Sequence, residues 1–323
     1  MTANQVVALS GGIGGAKLAL GLAGALPAGT LTLIANNGDD FEHLGLTICP
    51  DLDTLLYTLA GLENPETGWG RRDETWTFMT ALESLGGEDW FRLGDGDLAV
   101  HVERTRRLGD GQSLSAITAA FATRWGVATR ILPMSDDPVR TLVETDEGTL
   151  SFQDDFVARQ CRPKVAAVRF QGAEEASAQP KAIEALRAPQ TAAIVICPSN
   201  PYLSVDPLLA LPDLRAALAA APAPVVAVTP IIGGAAVKGP TAKIMAELGQ
   251  EVSPVTVARH YDGLIDGFVL DAADARLARE IAVPTLAAET LMTTAAEKQA
   301  LAEKVLSFAR SLRAGRPERR AAS

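Results

Sequence analysis

Long apolar runs are missing from this chain. Its hydrophobic stretches are broken by Gly, Pro or charge before any reaches the roughly 20 residues a membrane helix needs, so no bilayer span and no membrane partner are expected. Cysteine is scarce as well. Cys49, Cys161 and Cys197 are odd in number and far apart, with no Cys-x-x-Cys spacing for zinc or redox chemistry, and read as buried thiols. The only histidines are His43, His101 and His260, and neither a His-Glu-x-x-His helix nor a Gly-x-Ser-x-Gly elbow occurs, which weakens hydrolase readings. Basic charge is also in deficit. With 29 Lys and Arg against 39 Asp and Glu, the net charge of -10 argues against a nucleic-acid partner, since phosphate contacts need clustered cations. The one basic cluster, Arg310, Arg313, Arg316, Arg319 and Arg320, sits among small residues at the C-terminus and reads as a frayed tail. Met1 to Gln5 are uncharged and the run after them enters glycines rather than a cleavage site, so a cytoplasmic location is expected.

What is present is core. A chain that is 47% hydrophobic and 21% charged buries a sizeable interior. Val6 to Leu9, Ala16 to Leu26 and Leu31 to Ala35 give the strand, helix, strand rhythm of a parallel sheet, and Ala193 to Cys197, Val225 to Thr229 and Gly267 to Leu270 repeat the buried-strand signal. The fold class is therefore α/β, a doubly wound, mostly parallel, Rossmann-like sheet. Helices are expected at 53–60, 74–84 and 113–124, with all four tryptophans in or near them. Strands at 141–145, 149–153 and 164–170, with a hairpin signal at Glu147-Gly148, suggest a small β excursion. The expected organisation is one domain over 1–312 with insertions at about 55–125 and 139–175, followed by a disordered tail over 313–323.

Ser10-Gly11-Gly12-Ile13-Gly14-Gly15-Ala16-Lys17 follows a strand and opens a helix, where bare amides and the helix dipole can hold phosphate and Lys17 adds a cation. It is not a Walker A loop, because Ala16 precedes the lysine and Leu18 follows it. Nor is it a clean dinucleotide fingerprint. The alternative is a glycine turn needed only for tight strand-to-helix packing.

Carboxylates gather after the second strand, in Asn36-Asn37-Gly38-Asp39-Asp40 and in Cys49-Pro50-Asp51-Leu52-Asp53-Thr54. Beside a diphosphate they would repel it unless a hard cation intervened, so Mg²⁺ bridging carboxylate and phosphate oxygens is the economical reading. Otherwise Asp51 and Asp53 cap the next helix and Asp39-Asp40 shape a turn; for Asp51 the cap is preferred. Trp90-Phe91-Arg92, with Asp95, Asp97 and His101 beyond, offers an aromatic floor and a cation suited to a planar heteroaromatic ligand, although Trp90 and Phe91 suit a core equally. His43, close to Asp39 and Asp40, is a further substrate candidate. The Pro198 to Pro201, Pro230 to Gly234 and Lys238 to Pro240 turns suit a nucleotide or are simply turns. The Ser135 to Pro138 turn is of the same kind.

Seven of these segments in this order resemble one family up to about Ala295, the 2-phospho-lactate transferases, also called phosphoenolpyruvate transferases, that make coenzyme F-420. They are Ser10 to Lys17, Asn37 to Asp40, Cys49 to Thr54, Leu93-Gly94-Asp95, Leu132 to Pro138, Pro198 to Pro201 and Thr229 to Gly234. The resemblance implies a donor in which GDP is esterified to a small phospho-acid, the deazaflavin alcohol Fo as acceptor, and GMP as leaving group. It implies Asp53 and Arg92 on the deazaflavin, to which the reading of the residues adds His43 and Trp90; Asp39 and Asp53 on magnesium; and Gly11, Gly12, Gly14, Lys17, Asn200 and Gly233 on the nucleotide and its phosphates. Asp40 or Asp53 would accept the hydroxyl proton, and a homodimer is implied. Gly96, where the family often has arginine, and Asn37, where threonine or isoleucine is usual, depart from the pattern. Two other readings predict different ligands. A non-catalytic nucleotide-sugar-binding regulator of the same superfamily would share the glycine loop without Asp53 and Arg92. An NAD-dependent oxidoreductase would want an acid where Asn36 and Asn37 stand.

Overall fold

A computed structural model describes residues 5–237 and 239–315. Lys238 and most of the basic tail, 316–323, lie outside the described residues, as do residues 1–4.

β1 (Gln5–Ser10) runs into α1 (Gly12–Ala25) and on to β2 (Leu31–Ala35). A hairpin of β3 (Phe41–His43) and β4 (Leu46–Ile48) leads to four helices, α2 (Pro50–Ala60), α3 (Thr77–Ser84), α4 (Asp95–Gly109) and α5 (Leu114–Arg124). β5 (Arg130–Pro133) precedes three antiparallel strands, β6 (Arg140–Thr145), β7 (Gly148–Ser151) and β8 (Val165–Gln171). The chain continues through α6 (Pro180–Arg187), β9 (Thr191–Ile196), α7 (Asp206–Leu209), α8 (Pro212–Ala219) and β10 (Val225–Val228). It closes with the hairpin β11 (Ile231–Ile232) and β12 (Ala235–Ala236), α9 (Thr241–Glu247), α10 (Pro254–His260), β13 (Gly267–Asp271), β14 (Thr285–Ala288) and α11 (Ala295–Gly315).

Seven strands form one sheet in the order β14-β13-β10-β9-β1-β2-β5, every neighbouring pair parallel. The expected doubly wound α/β class is borne out. From β1 the chain winds first to β2 and β5, then returns to β9 on the other side, so the winding direction reverses between β1 and β9. In such sheets ligands bind in the crevice beyond the carboxyl ends of the strands at that reversal.

The strands read as unbroken apolar runs because both faces of the sheet are covered. Val7 and Leu9 of β1 point into a core with Leu186, Leu214 and Leu218 of α6 and α8. Val6 and Ala8 point the other way, into a core with Leu18 and Leu22 of α1, Leu52 and Leu55 of α2 and Val305 of α11. A smaller cluster of Ile48, Met79 and Leu93 supports the segment around α3. α11 extends to Gly315, so Arg310 and Arg313 are helical, and Arg313 donates to the Thr191 carbonyl at 3.1 Å. No helix among the described residues is long and apolar enough to cross a membrane.

Candidate active site

A cleft of about 810 Å³ opens at the carboxyl ends of β1 and β9. One wall is the glycine segment. Only Gly11 separates β1 from α1, whose helical turns begin at Gly12, so the run is a tight strand-to-helix turn rather than an extended cradle. Gly12 has φ +65°, a left-handed value that disfavours a side chain. At Gly14 a Cβ would stand 2.2 Å from the Pro198 carbonyl oxygen, so packing against the loop after β9 demands that glycine. The packing alternative for this segment is therefore realised in part. Gly11, Gly12, Gly14 and Lys17 nevertheless all line the cleft.

Asp51 is not the helix cap that local reading prefers. The N-cap of α2 is Cys49, without a side-chain cap, and Asp51 reaches across to α1. Its Oδ1 accepts the Gly12 N–H at 2.7 Å and its Oδ2 accepts Asn36 Nδ2 at 2.9 Å. A carboxylate thus already occupies the positive end of α1. Burial pushes its pKa up to about 6, against the pull of the Gly12 and Asn36 hydrogen bonds.

Asp39 also lines the cleft and is 7% exposed, with one oxygen, Oδ1, lacking any partner. Burial, then the charges of Asp51 and Asp40, hold its carboxyl well above the ordinary range, while the Thr141 and Asn36 side chains oppose the rise. Asp40 is buried behind the cleft wall rather than on it, and its Oδ1 is likewise unpartnered. Burial raises it to about 8, against the Cys49 thiol, Arg104 and Arg140.

Asp53 lines the cleft, and both of its oxygens are held by Arg104: NH1 donates to Oδ2 at 3.0 Å and NH2 to Oδ1. Arg104, 1% exposed, projects from α4 together with Asp97 and His101, one face of a helix at spacings of four and three. NH1 also lies 3.2 Å from His101 Nδ1. His101 Nε2 faces Asp97 Oδ2 at 3.2 Å, and Tyr57 of α2 donates to Asp97 Oδ1 at 2.5 Å.

Another part of the lining is aromatic. Trp90, Phe91 and Arg92 form it, Trp90 standing edge-on to His43 at 5.0 Å and Phe91 edge-on to Phe41 at 4.9 Å. Arg92 lies over the Trp76 ring at 5.1 Å. His43 is 3% exposed and backs this wall without reaching the cleft, and burial lowers its pKa. At Gly96, where the family pattern often has arginine, the Arg71 guanidinium packs instead and donates to the Gly96 carbonyl at 3.3 Å.

From the loop after β9, Asn200 lines the cleft. Its Oδ1 accepts the Tyr202 and Leu203 amides while its Nδ2 is buried with no partner. Gly233 stands apart. It and Gly234 have φ of +58° and +76° and form the two-residue turn between β11 and β12, as left-handed hairpin turns require. The Gly233 amide is committed to Asp274 at 2.8 Å, and neither glycine lines the cleft, whereas Ile232, Val237 and Pro240 do. The Ser135 to Pro138 turn is structural: Asp136 accepts from Ser115, and Asp137 accepts from Ser177.

The structure thus gathers Gly11, Gly12, Gly14, Lys17, Asp39, Asp53, Trp90, Arg92 and Asn200 around one cleft, and leaves Asp40, His43 and Gly233 behind or beside it. Sequence reasoning missed Arg104, which belongs to no motif, and Asp51 as a partner of α1. It also missed Trp69 and Phe156, 54% and 38% exposed at the cleft mouth; Trp69, between Gly68 and Gly70, carried the only signal.

Magnesium can be tested against these residues. Among the described residues no three metal-type side chains converge, so a cation here would take phosphate oxygens or water as well. The buried, unpartnered oxygen of Asp39 at the cleft surface, beside Asp51 and Asp40, fits such a cation. Asp53 fits less well, because Arg104 already neutralises it.

A family model described as 2-phospho-L-lactate transferase CofD matches residues 6–306. The chain is 42% identical over 319 residues to a phosphoenolpyruvate transferase of Streptomyces griseus, covering 96% of this chain and all of the relative. It is 40% identical over 306 residues to a 2-phospho-L-lactate transferase of Methanosarcina mazei, covering 93% and 99%. A crystal structure of a UPF0052 family member from Bacillus halodurans superposes with a TM-score of 0.60 at 18% identity over 94% of this chain and 99% of that one, a likeness of fold.

Proposed function

Because this chain belongs to the 2-phospho-L-lactate transferase CofD family, we propose that it transfers a phospho-acid in coenzyme F-420 biosynthesis. The donor is a guanosine diphosphate carrying phosphoenolpyruvate, 2-phospholactate or 3-phosphoglycerate, the acceptor is the ribityl hydroxyl of the deazaflavin Fo, and the leaving group is GMP. The observation that carries this reading is one cleft at the reversal of the sheet whose lining combines two unlike groups, a glycine turn with Lys17 and Asn200, and Trp90 and Phe91 with Arg92. A diphosphate and a planar ring are what such groups recognise.

The hydroxyl oxygen attacks the phosphorus bearing the acid while the bond to the GMP oxygen breaks, with no covalent enzyme intermediate. In such transfers the protein acts mainly by positioning and charge. Lys17 supports the diphosphate, and the unpartnered Asn200 Nδ2 offers it or the nucleoside a donor. Mg²⁺, when bound, supplies charge neutralisation across the diphosphate, held foremost by Asp39. Of the two carboxylates considered for the proton, Asp53 stands at the cleft surface and Asp40 behind it, so Asp53 meets the acceptor hydroxyl first. The homodimer and cytoplasmic location are part of the same proposal.

Calorimetric titration with Fo and with GDP in the presence of magnesium tests it: both bind, and Arg92→Ala weakens binding of Fo alone. Binding of a nucleotide sugar with no affinity for Fo would replace this reading with that of a regulator.

A further inference from the structure

We propose that Arg104 is a positioning residue for the acceptor, acting through Asp53. This rests on the reading above, in which Asp53 meets the acceptor hydroxyl. Arg104 is the largest fully buried side chain described, and arginine is almost never buried to that degree without a paired partner. Its fork holds both Asp53 oxygens, and two parallel contacts fix the plane of a carboxylate as one contact does not. NH1 also approaches the Thr47 carbonyl at 3.3 Å, which anchors the guanidinium to β4.

The network continues past the pair. His101 Nδ1 lies 3.2 Å from NH1, and His101 Nε2 faces Asp97 at 3.2 Å. Asp97 in turn accepts from Tyr57. Asp53 and Tyr57, one turn apart on α2, are thereby tied to Asp97, His101 and Arg104 on one face of α4. All but Arg104 line the cleft, so Arg104 is the support behind the polar edge that a ligand touches.

A clamp for stability alone is a poor account of this arrangement. A buried ion pair costs so much desolvation that apolar residues of similar volume often serve a fold equally well or better. What an apolar pair would not do is hold a carboxylate in one orientation at a cleft surface.

Arg104→Lys keeps the charge and loses the fork. The purified variant is assayed with Fo and the productive donor, each KM and kcat determined separately. The expected result is an acceptor KM raised about ten- to a hundredfold with the donor KM within about twofold. A clamp that only stabilises α2 against α4 lowers the melting temperature without splitting the two KM values. Arg104→Met combined with Asp53→Asn removes both charges, so no buried ion is stranded, and its melting temperature shows whether the fold needs the pair at all. A crystal structure of Arg104→Lys finds the Asp53 carboxylate rotated from its present plane. Unchanged acceptor KM in Arg104→Lys, or a carboxylate that has not moved, overturns the proposal. If the wild-type protein fails to use Fo with any donor, the transferase reading fails, and the crystal structure alone then decides whether Arg104 orients Asp53.

Discussion

Replacing Asp40 with Asn is expected to stabilise the metal-free protein, by an amount that grows with pH. Burial lifts the Asp40 carboxyl from 3.8 to about 8. Between those values the folded protein holds a proton that the unfolded chain has released, and folding stability falls by about 1.4 kcal/mol for each pH unit. The favourable protonated state is complete below about pH 4 and the loss levels off above about pH 8. Asparagine carries no proton to lose. The gap between Asp40→Asn and the wild type therefore widens by about 4 kcal/mol between pH 5 and pH 8. How the amide packs against Cys49 sets the offset, whereas the slope comes mainly from the Asp40 proton. Asp51, also raised by burial, titrates in both proteins, whereas Asp39, which feels the Asp40 charge, is relieved in the variant and adds to the difference. Urea unfolding of both proteins at several pH values in chelator measures it. A gap that does not change with pH refutes the reasoning. With magnesium in place of chelator, a cation drawn to the unpartnered Asp39 and Asp40 oxygens flattens the wild-type slope.

Gly14→Ala places a methyl 2.2 Å from the Pro198 carbonyl oxygen, with backbone on both sides, so it costs about 1–3 kcal/mol and raises the donor KM by parting α1 from the loop after β9, seen in the melting temperature and in donor kinetics. Asp51→Ala strands the Gly12 amide and leaves Asn36 Nδ2 with the Leu203 carbonyl alone, lowering stability by about 1–3 kcal/mol in chemical denaturation. Arg92→Ala raises the acceptor KM about tenfold and leaves the donor KM unchanged in steady-state assays. Chelation of magnesium abolishes transfer, and restoring the ion recovers it.

The sheet was legible because its strands are covered on both faces: Val6-Val7-Ala8-Leu9 feeds two cores at once and so reads as an unbroken apolar run. α4 was not legible. Its buried residues are Val100, His101 and Arg104, so the apolar periodicity that announces a helix is replaced by a polar network. The same fact hid Arg104, whose partner Asp53 is 51 residues away in the chain. Asp51 misled for a related reason. Its position in the first turn of α2 fits the local capping rule, yet its hydrogen bonds run to Gly12 and Asn36. Gly233-Gly234 looked like a phosphate turn because hairpin turns and phosphate loops draw on the same glycines, and only the Asp274 contact separates them. Trp90, Arg92, Asp39 and Lys17 were found through motifs, and the fold places all four on one cleft.

The most direct test of the central claim is to incubate the purified protein with Fo, magnesium and, separately, the guanosine diphosphate esters of phosphoenolpyruvate, 2-phospholactate and 3-phosphoglycerate, following products by mass spectrometry. The account predicts GMP and a phosphodiester of Fo in equal amounts with at least one donor. No GMP and no Fo adduct with any of the three would contradict it.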